Sequence, residues 1–173
     1  MKKQKKKKVY VLTVSRFFPK THSRAGAKTW FVKEILKSIV GAKQIIEAVK
    51  TRASVKKIHT IRNNYELWLD RIKKVNNGEA ILSLRYWQGA PYNSKQIEFA
   101  KLCEGQVAIE KLYLSTDLND CDIRGVHFHG DAAKVLSAND GLSEKDFREW
   151  FKKHNAKNTL AIIHFTSFRY KQF

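Results

Sequence analysis

Four segments that read as β-strands follow one another with short breaks after Asn77-Gly78: Glu79–Trp87, Lys95–Leu102, Val107–Leu114 and Ile123–Phe128. Each break contains glycine or asparagine, and closely spaced strands of this kind suggest a barrel or a sandwich. Two further strands bracket them. Val9–Ser15 (VYVLTVS) is apolar and β-branched enough to be a buried first strand, and Thr159–Phe165 (TLAIIHF) reads as a fully apolar strand central in a sheet.

Helical spacing appears in three places. From Thr29 the apolar positions Val32, Ile35, Leu36, Ile39 and Val40 recur at intervals of three and four, and Ile46 and Val49 continue the stripe past Gly41. Tyr65, Trp68, Ile72 and Val75 repeat the pattern before the Asn77-Gly78 turn. Ser143-Glu144-Lys145-Asp146 has the spacing of a capping box, and Phe147, Trp150 and Phe151 give the helix it starts an aromatic face that ends near His154. The expected class is α+β, with helices flanking the strands.

A chain of 173 residues with 43% apolar content favours one domain with a real core. Met1–Lys8 reads as a disordered, lysine-rich arm, and residues 9–173 as the single domain. The formal charge is +18, and removing the six lysines of the arm leaves +12, so basicity belongs to the folded body. A field of that sign attracts polyanions, which makes nucleic acid the leading partner and an anionic membrane surface a weaker one. The apolar runs fall short of the roughly 18 to 20 residues that span a bilayer, so no membrane helix is expected. Two single cysteines, Cys103 and Cys121, with no secretory leader point to a reducing compartment, the cytoplasm.

Chemistry-bearing residues concentrate in Lys57-Ile58-His59-Thr60-Ile61-Arg62, a short strand entering a turn at Asn63-Asn64. In an ideal strand Thr60 and Arg62 share a face while Lys57 points to the other. The three converge only if the chain bends near Lys57. Arg62 suits phosphate or a pyrimidine carbonyl, because its fork of donors matches planar oxygen acceptors. The plain structural reading is a β-branched strand residue at Thr60 and a solvated strand edge at Lys57.

Two other stretches suit nucleic acid. The loop from Arg16 to Lys28 interleaves Arg16, Lys20, His22, Arg24 and Lys28 with Phe17, Phe18 and Pro19, a mix that can grip phosphates while a ring stacks on a base. The two phenylalanines read equally well as core or hinge residues. Tyr86-Trp87-Gln88-Gly89-Ala90-Pro91-Tyr92, flanked by Arg85 and Lys95, resembles a stacking platform beside phosphate contacts. Trp87 and Tyr92 plugging the mouth of a barrel is the alternative. His127-x-His129 with Asp131 and Cys121 lacks a second compact ligand pair, so no metal is assigned. No GxxxxGK[ST] or GxGxxG sequence is present, and no cofactor is expected.

The order of these elements resembles the ASCH domain family, related to the PUA-like RNA-binding barrels. The likeness rests on Ile35-Leu36 before the Lys-x-x-Thr-x-Arg strand at Lys57–Arg62, on Gly78-Glu79 leading into Ala80–Leu84, and on Asp140 before Ser143–Lys153 and Thr159–Phe165. The resemblance implies a PUA-like β-barrel of about five to seven strands flanked by helices, with a cleft for RNA or a modified nucleoside. Some small bacterial members look like amidohydrolases that remove the acyl group from N4-acetylcytidine with a lysine, a threonine and a glutamate. By motif position these fall on Lys57, Thr60 and Asp140. Nucleoside- or RNA-binding residues are then expected at Arg16, Lys20, Arg24, Arg62, Arg85, Trp87 and Tyr92. A non-catalytic RNA-binding module and a single-stranded RNA nuclease using His59, Lys57 and Arg62 are the competing readings. Aspartate in place of glutamate is one methylene shorter, and a misplacement of about 1 Å can be worth roughly 100-fold in rate. The chain is also longer than those small enzymes, adding the segment before Thr29, residues between Leu36 and Lys57, and Tyr86–Tyr92.

Overall fold

A computed structural model describes residues 6–40 and 56–170. The order is β1 (Lys8–Thr13), α1 (Phe31–Val40), β2 (His59–Asn63), α2 (Tyr65–Asn76), β3 (Ala80–Trp87), β4 (Gln96–Leu102), β5 (Ala108–Leu114), β6 (Cys121–Ile123), β7 (Val126–Phe128), α3 (Ala132–Asp140), α4 (Glu144–Phe151) and β8 (Leu160–His164). The class is α+β. Among the described residues the strands form two sheets and no closed barrel, one with order β1-β3-β4 and one with order β2-β8-β5-β6-β7. The expected helical continuation through Ile46 and Val49, and the first five residues of the arm, lie outside the described residues.

In the smaller sheet β3 lies between β1, which runs parallel to it, and β4, its antiparallel hairpin partner. Alternation sets the inner face: Tyr10, Leu12, Ala80, Leu82 and Leu84 are buried, while Val9 is exposed. In the larger sheet all pairings are antiparallel. All five residues of β8 are buried, four apolar and the fifth His164, as suits a strand paired on both sides. It lies between β2 and β5, and β5 holds the middle place. Helix α2 packs against β3 of one sheet and β5 and β8 of the other, its buried Trp68, Ile72 and Val75 matching the helical stripe in the sequence.

Two elements depart from expectation. Ile123–Phe128 is a hairpin of β6 and β7, turning through Arg124 and Gly125, which both have positive φ. Helix α3 was not anticipated. It packs on β2 and α4, and Asp140 is its last residue. Gly141 ends it at φ 75, and the N–H groups of Gly141 and Leu142 both return to the Ser137 carbonyl.

Candidate active site

Lys57 reaches the site because it sits outside β2. It forms an isolated antiparallel bridge with Asp140, while Ile58 donates its N–H to the Asn139 carbonyl and accepts one from Phe165. The backbone therefore changes partner at Ile58, from the end of α3 to β8. Lys57, Thr60 and Arg62 line one cavity, the convergence that the motif needs for chemistry. Asp140, Val14, Ser15, Phe31, Ile61, Trp150 and Phe151 complete its wall. The cavity measures about 30 Å³, room for a group the size of one or two waters.

Lys57 is only 1% exposed, and its ammonium is fully engaged. Its Nζ donates to Asp140 Oδ1 at 2.7 Å and to the Asp140 carbonyl at 2.6 Å, and it lies 4.1 Å from the centre of the Phe31 ring. The carbonyl belongs to the C-terminal end of α3, where intrahelical donors run out and a cation is favoured. Gly141 makes the approach sterically open, because a Cβ there would stand 2.9 Å from Lys57 Cβ. Burial pulls the Lys57 ammonium below the usual lysine range, with Asp140 opposing and the nearby Arg62 cation adding to the fall. For Asp140 burial pushes upward, yet Lys57 and His59 outweigh it and hold the carboxyl below its usual range.

Thr60 accepts a hydrogen bond from Arg62 Nη1 at 2.9 Å. Arg62 also donates to the Ile61 carbonyl and, through Nη2, to the Thr13 carbonyl of β1 at 2.8 Å. Three donors of the guanidinium are thus committed inside the protein, and the residue ties the two sheets together beside the threonine hydroxyl.

On the opposite face of β2, His59 is fully buried. Its Nε2 lies 2.7 Å from the Tyr170 hydroxyl, which also accepts from Asn139 Nδ2, and its Nδ1 lies 3.6 Å from Asp140 Oδ1. Burial pulls His59 down to about 4, against the attraction of Asp140, so it is neutral at pH 7. Behind it His164 Nε2 stands 2.7 Å from Glu110 Oε2, both side chains fully buried, and neither His164 nitrogen makes a well-aligned hydrogen bond.

The remaining expected binding residues do not line the cavity. Arg24 pairs with Asp146 at 2.6 Å and covers the Phe18 ring, fastening the loop to α4 together with Ser23, which donates to Glu149. Arg85 bonds Ser83 and lies 3.7 Å from Glu98. Lys20 is exposed. Arg16 stands over the rings of Phe17 and Tyr86, and Trp87 meets Tyr92 at 5.3 Å in the β3–β4 hairpin. Phe18 is core and Phe17 is exposed, so the pair divides between the two readings. His127 and His129 stack with Asp122 and Asp120 beside them, and no group of three or more metal-ligating side chains occurs among the described residues. Cys121 is buried, its thiol pushed up to about 12 by burial.

Sequence reasoning missed Phe31, Gly141, Asn139 and Tyr170. Of these only Gly141 carried a signal, a glycine directly after an Asn-Asp pair. A larger open groove of about 390 Å³ lies elsewhere, lined by Asn63, Asn64, Tyr65, Glu66, Lys157, Asn158 and Thr159, and contains none of the residues above. Among the described residues no helix is long and apolar enough to cross a membrane. No protein-family model, curated protein or solved structure matches the chain.

Proposed function

We propose that the chain is an ASCH-like protein, its two sheets a variant of the PUA-like barrel, that hydrolyses the acyl amide of N4-acetylcytidine, free or within RNA. One observation carries this reading: Lys57, Thr60, Arg62 and Asp140, drawn from positions up to 83 residues apart, wall a single cavity. The cavity suits the acyl head, with the pyrimidine at its mouth and Phe31, Trp150 and Phe151 facing the methyl group.

Thr60 Oγ adds to the acyl carbon, negative charge develops on the acyl oxygen, and the Arg62 guanidinium beside Oγ offsets it. The Lys57 ammonium hands a proton to N4 as the carbon–nitrogen bond breaks and takes the threonine proton in its place, releasing cytidine. Water then attacks the acyl-threonine ester, the ammonium hands a proton to Oγ and takes one from the water, and acetic acid leaves, ionising to acetate in solvent. A lysine pulled below its usual range is suited to carrying that proton. A carboxyl held below its usual range has none to give at neutral pH, so Asp140 anchors Lys57 rather than acting as the acid.

Incubation of purified protein with N4-acetylcytidine, followed by chromatography of released cytidine, tests the proposal. Thr60→Ala is expected to lower the rate by at least about 100-fold, with Thr60→Ser retaining part of it. Undiminished turnover in Thr60→Ala removes the nucleophile. No turnover by the unaltered protein, with RNA binding that weakens steeply with salt, leaves the binding module, which the +18 charge also accommodates. The nuclease reading has no support from His59, which is sealed behind β2.

A further inference from the structure

We infer that a single strand of RNA lies along a track of exposed rings and basic side chains running from Trp30 through Phe17 and Arg16 to the Trp87–Tyr92 hairpin. The choice of RNA rests on the function proposed above, while the track rests on its own observations. Trp30 is 56% exposed, Phe17 43% and Tyr92 88%. Trp30 and Tyr92 also have φ of 63 and 65, left-handed backbone that bulky side chains seldom adopt. Neither ring is repaid by burial, and strain held at exposed aromatic residues points to use rather than to packing.

The members are joined by contacts. Lys28 and Lys33 place their ammonium groups 5.1 and 5.8 Å from the Trp30 ring centre. Lys28 bridges to Phe17 through the backbone. Arg16 lies 5.3 Å over Phe17 and 5.0 Å over Tyr86, and it donates to the Gln88 carbonyl, tying the loop to the hairpin that carries Trp87 and Tyr92. The track borders the cavity, because Ser15 and Phe31 of its wall are the chain neighbours of Arg16 and Trp30.

Charge separates this surface from other basic residues. Arg24 and Arg85 face Asp146 and Glu98, whereas neither Lys28 nor Lys33 has a carboxylate within ion-pair distance among the described residues. Solvent-exposed rings for bases, interleaved with cations for phosphates, are what a single strand needs. A duplex keeps its bases stacked and has no use for the rings. A strand on this track would present one nucleotide to the cavity and stack its neighbours on either side.

The test is fluorescence anisotropy with a 12-nucleotide unmodified RNA, using the full chain and the Trp30→Gly and Tyr92→Ala variants. Each variant is expected to weaken binding about 10-fold. The melting temperature of Trp30→Gly is expected to hold or rise, because glycine accepts the left-handed backbone freely. Affinities within 2-fold of the unaltered protein for both variants overturn the track. Tighter binding of double-stranded RNA, of a DNA strand of the same sequence, or of phosphatidylserine vesicles overturns the choice of occupant. Hydrolysis of the free nucleoside is measured separately. Turnover with no effect of the variants on RNA binding sinks the track alone, and variant-sensitive binding without turnover sinks the hydrolase alone.

Discussion

Lys57 is the residue on which the candidate site depends. Its cation is out of water, and Asp140 supplies both the countercharge and a carbonyl at the end of α3. Such a pair contributes little net stability, but breaking it leaves a buried charge without a partner. Asp140→Asn is expected to lower unfolding free energy by about 3–5 kcal/mol in urea titration. The Lys57→Met/Asp140→Asn double variant is expected to lose less than the sum of the two single changes, since neither charge then remains buried. Strictly additive losses would show that the two side chains are not coupled. Lysine, threonine and arginine were legible as a motif, because their spacing is local. Phe31 under the ammonium was not, because a ring that packs on a cation from another element leaves no mark in its own neighbourhood.

Helix α4 forms where its sequence says it should. Ser143 accepts from the Asp146 N–H at 3.1 Å, Glu144 and Asp146 lie in its first turn and Arg148 in its last. Ser143→Ala is expected to cost about 1 kcal/mol, a fall of about 2–4 °C in melting temperature by calorimetry. A larger loss is excluded if α4 is held mainly by Phe147 and the ties from Ser23 and Arg24. Helix α3 escaped notice because Ser137, Asn139 and Asp140 read as turn formers, and only burial of Ala132, Ala133 and Leu136 overrides that preference. The β6–β7 hairpin was read as one strand because Arg124-Gly125 is a turn without the usual asparagine or aspartate before the glycine.

At the scale of the whole molecule the buried histidines dominate the response to acid. His59 has its pKa depressed to about 4 by burial, and His164 is lowered for the same reason. The unfolded chain therefore binds protons below pH about 6.5 that the folded chain does not, so stability is full above that pH and falls as pH drops towards 4. For His59 the loss is on the order of 3 kcal/mol across that window. Asp140 and Glu110, both lowered, add a further loss below pH about 4 as their carboxylates take up protons. Urea titrations at pH 7.5 and 5 check this, with His59→Gln expected to flatten part of the slope. An unchanged midpoint between the two would mean that His59 titrates normally.

Six of the eight strands, three of the four helices, the excess of positive charge and the grouping of lysine, threonine and arginine before Asn63-Asn64 are legible in the linear chain. Periodicity, capping and composition are local, so a linear reading recovers them. Which charges stay unpaired among the described residues follows from packing in space. Arg24, Arg62 and Arg85 turned out to be held by Asp146, by Thr60 with backbone carbonyls, and by Ser83 and Glu98, while Lys28 and Lys33 stand over an exposed tryptophan. The three-dimensional packing also set the change of backbone partner at Ile58 and brought Lys57 to Asp140 beside Thr60. Ion pairing and desolvation are set by groups close in space and far apart in the chain, and no spacing along the sequence encodes them.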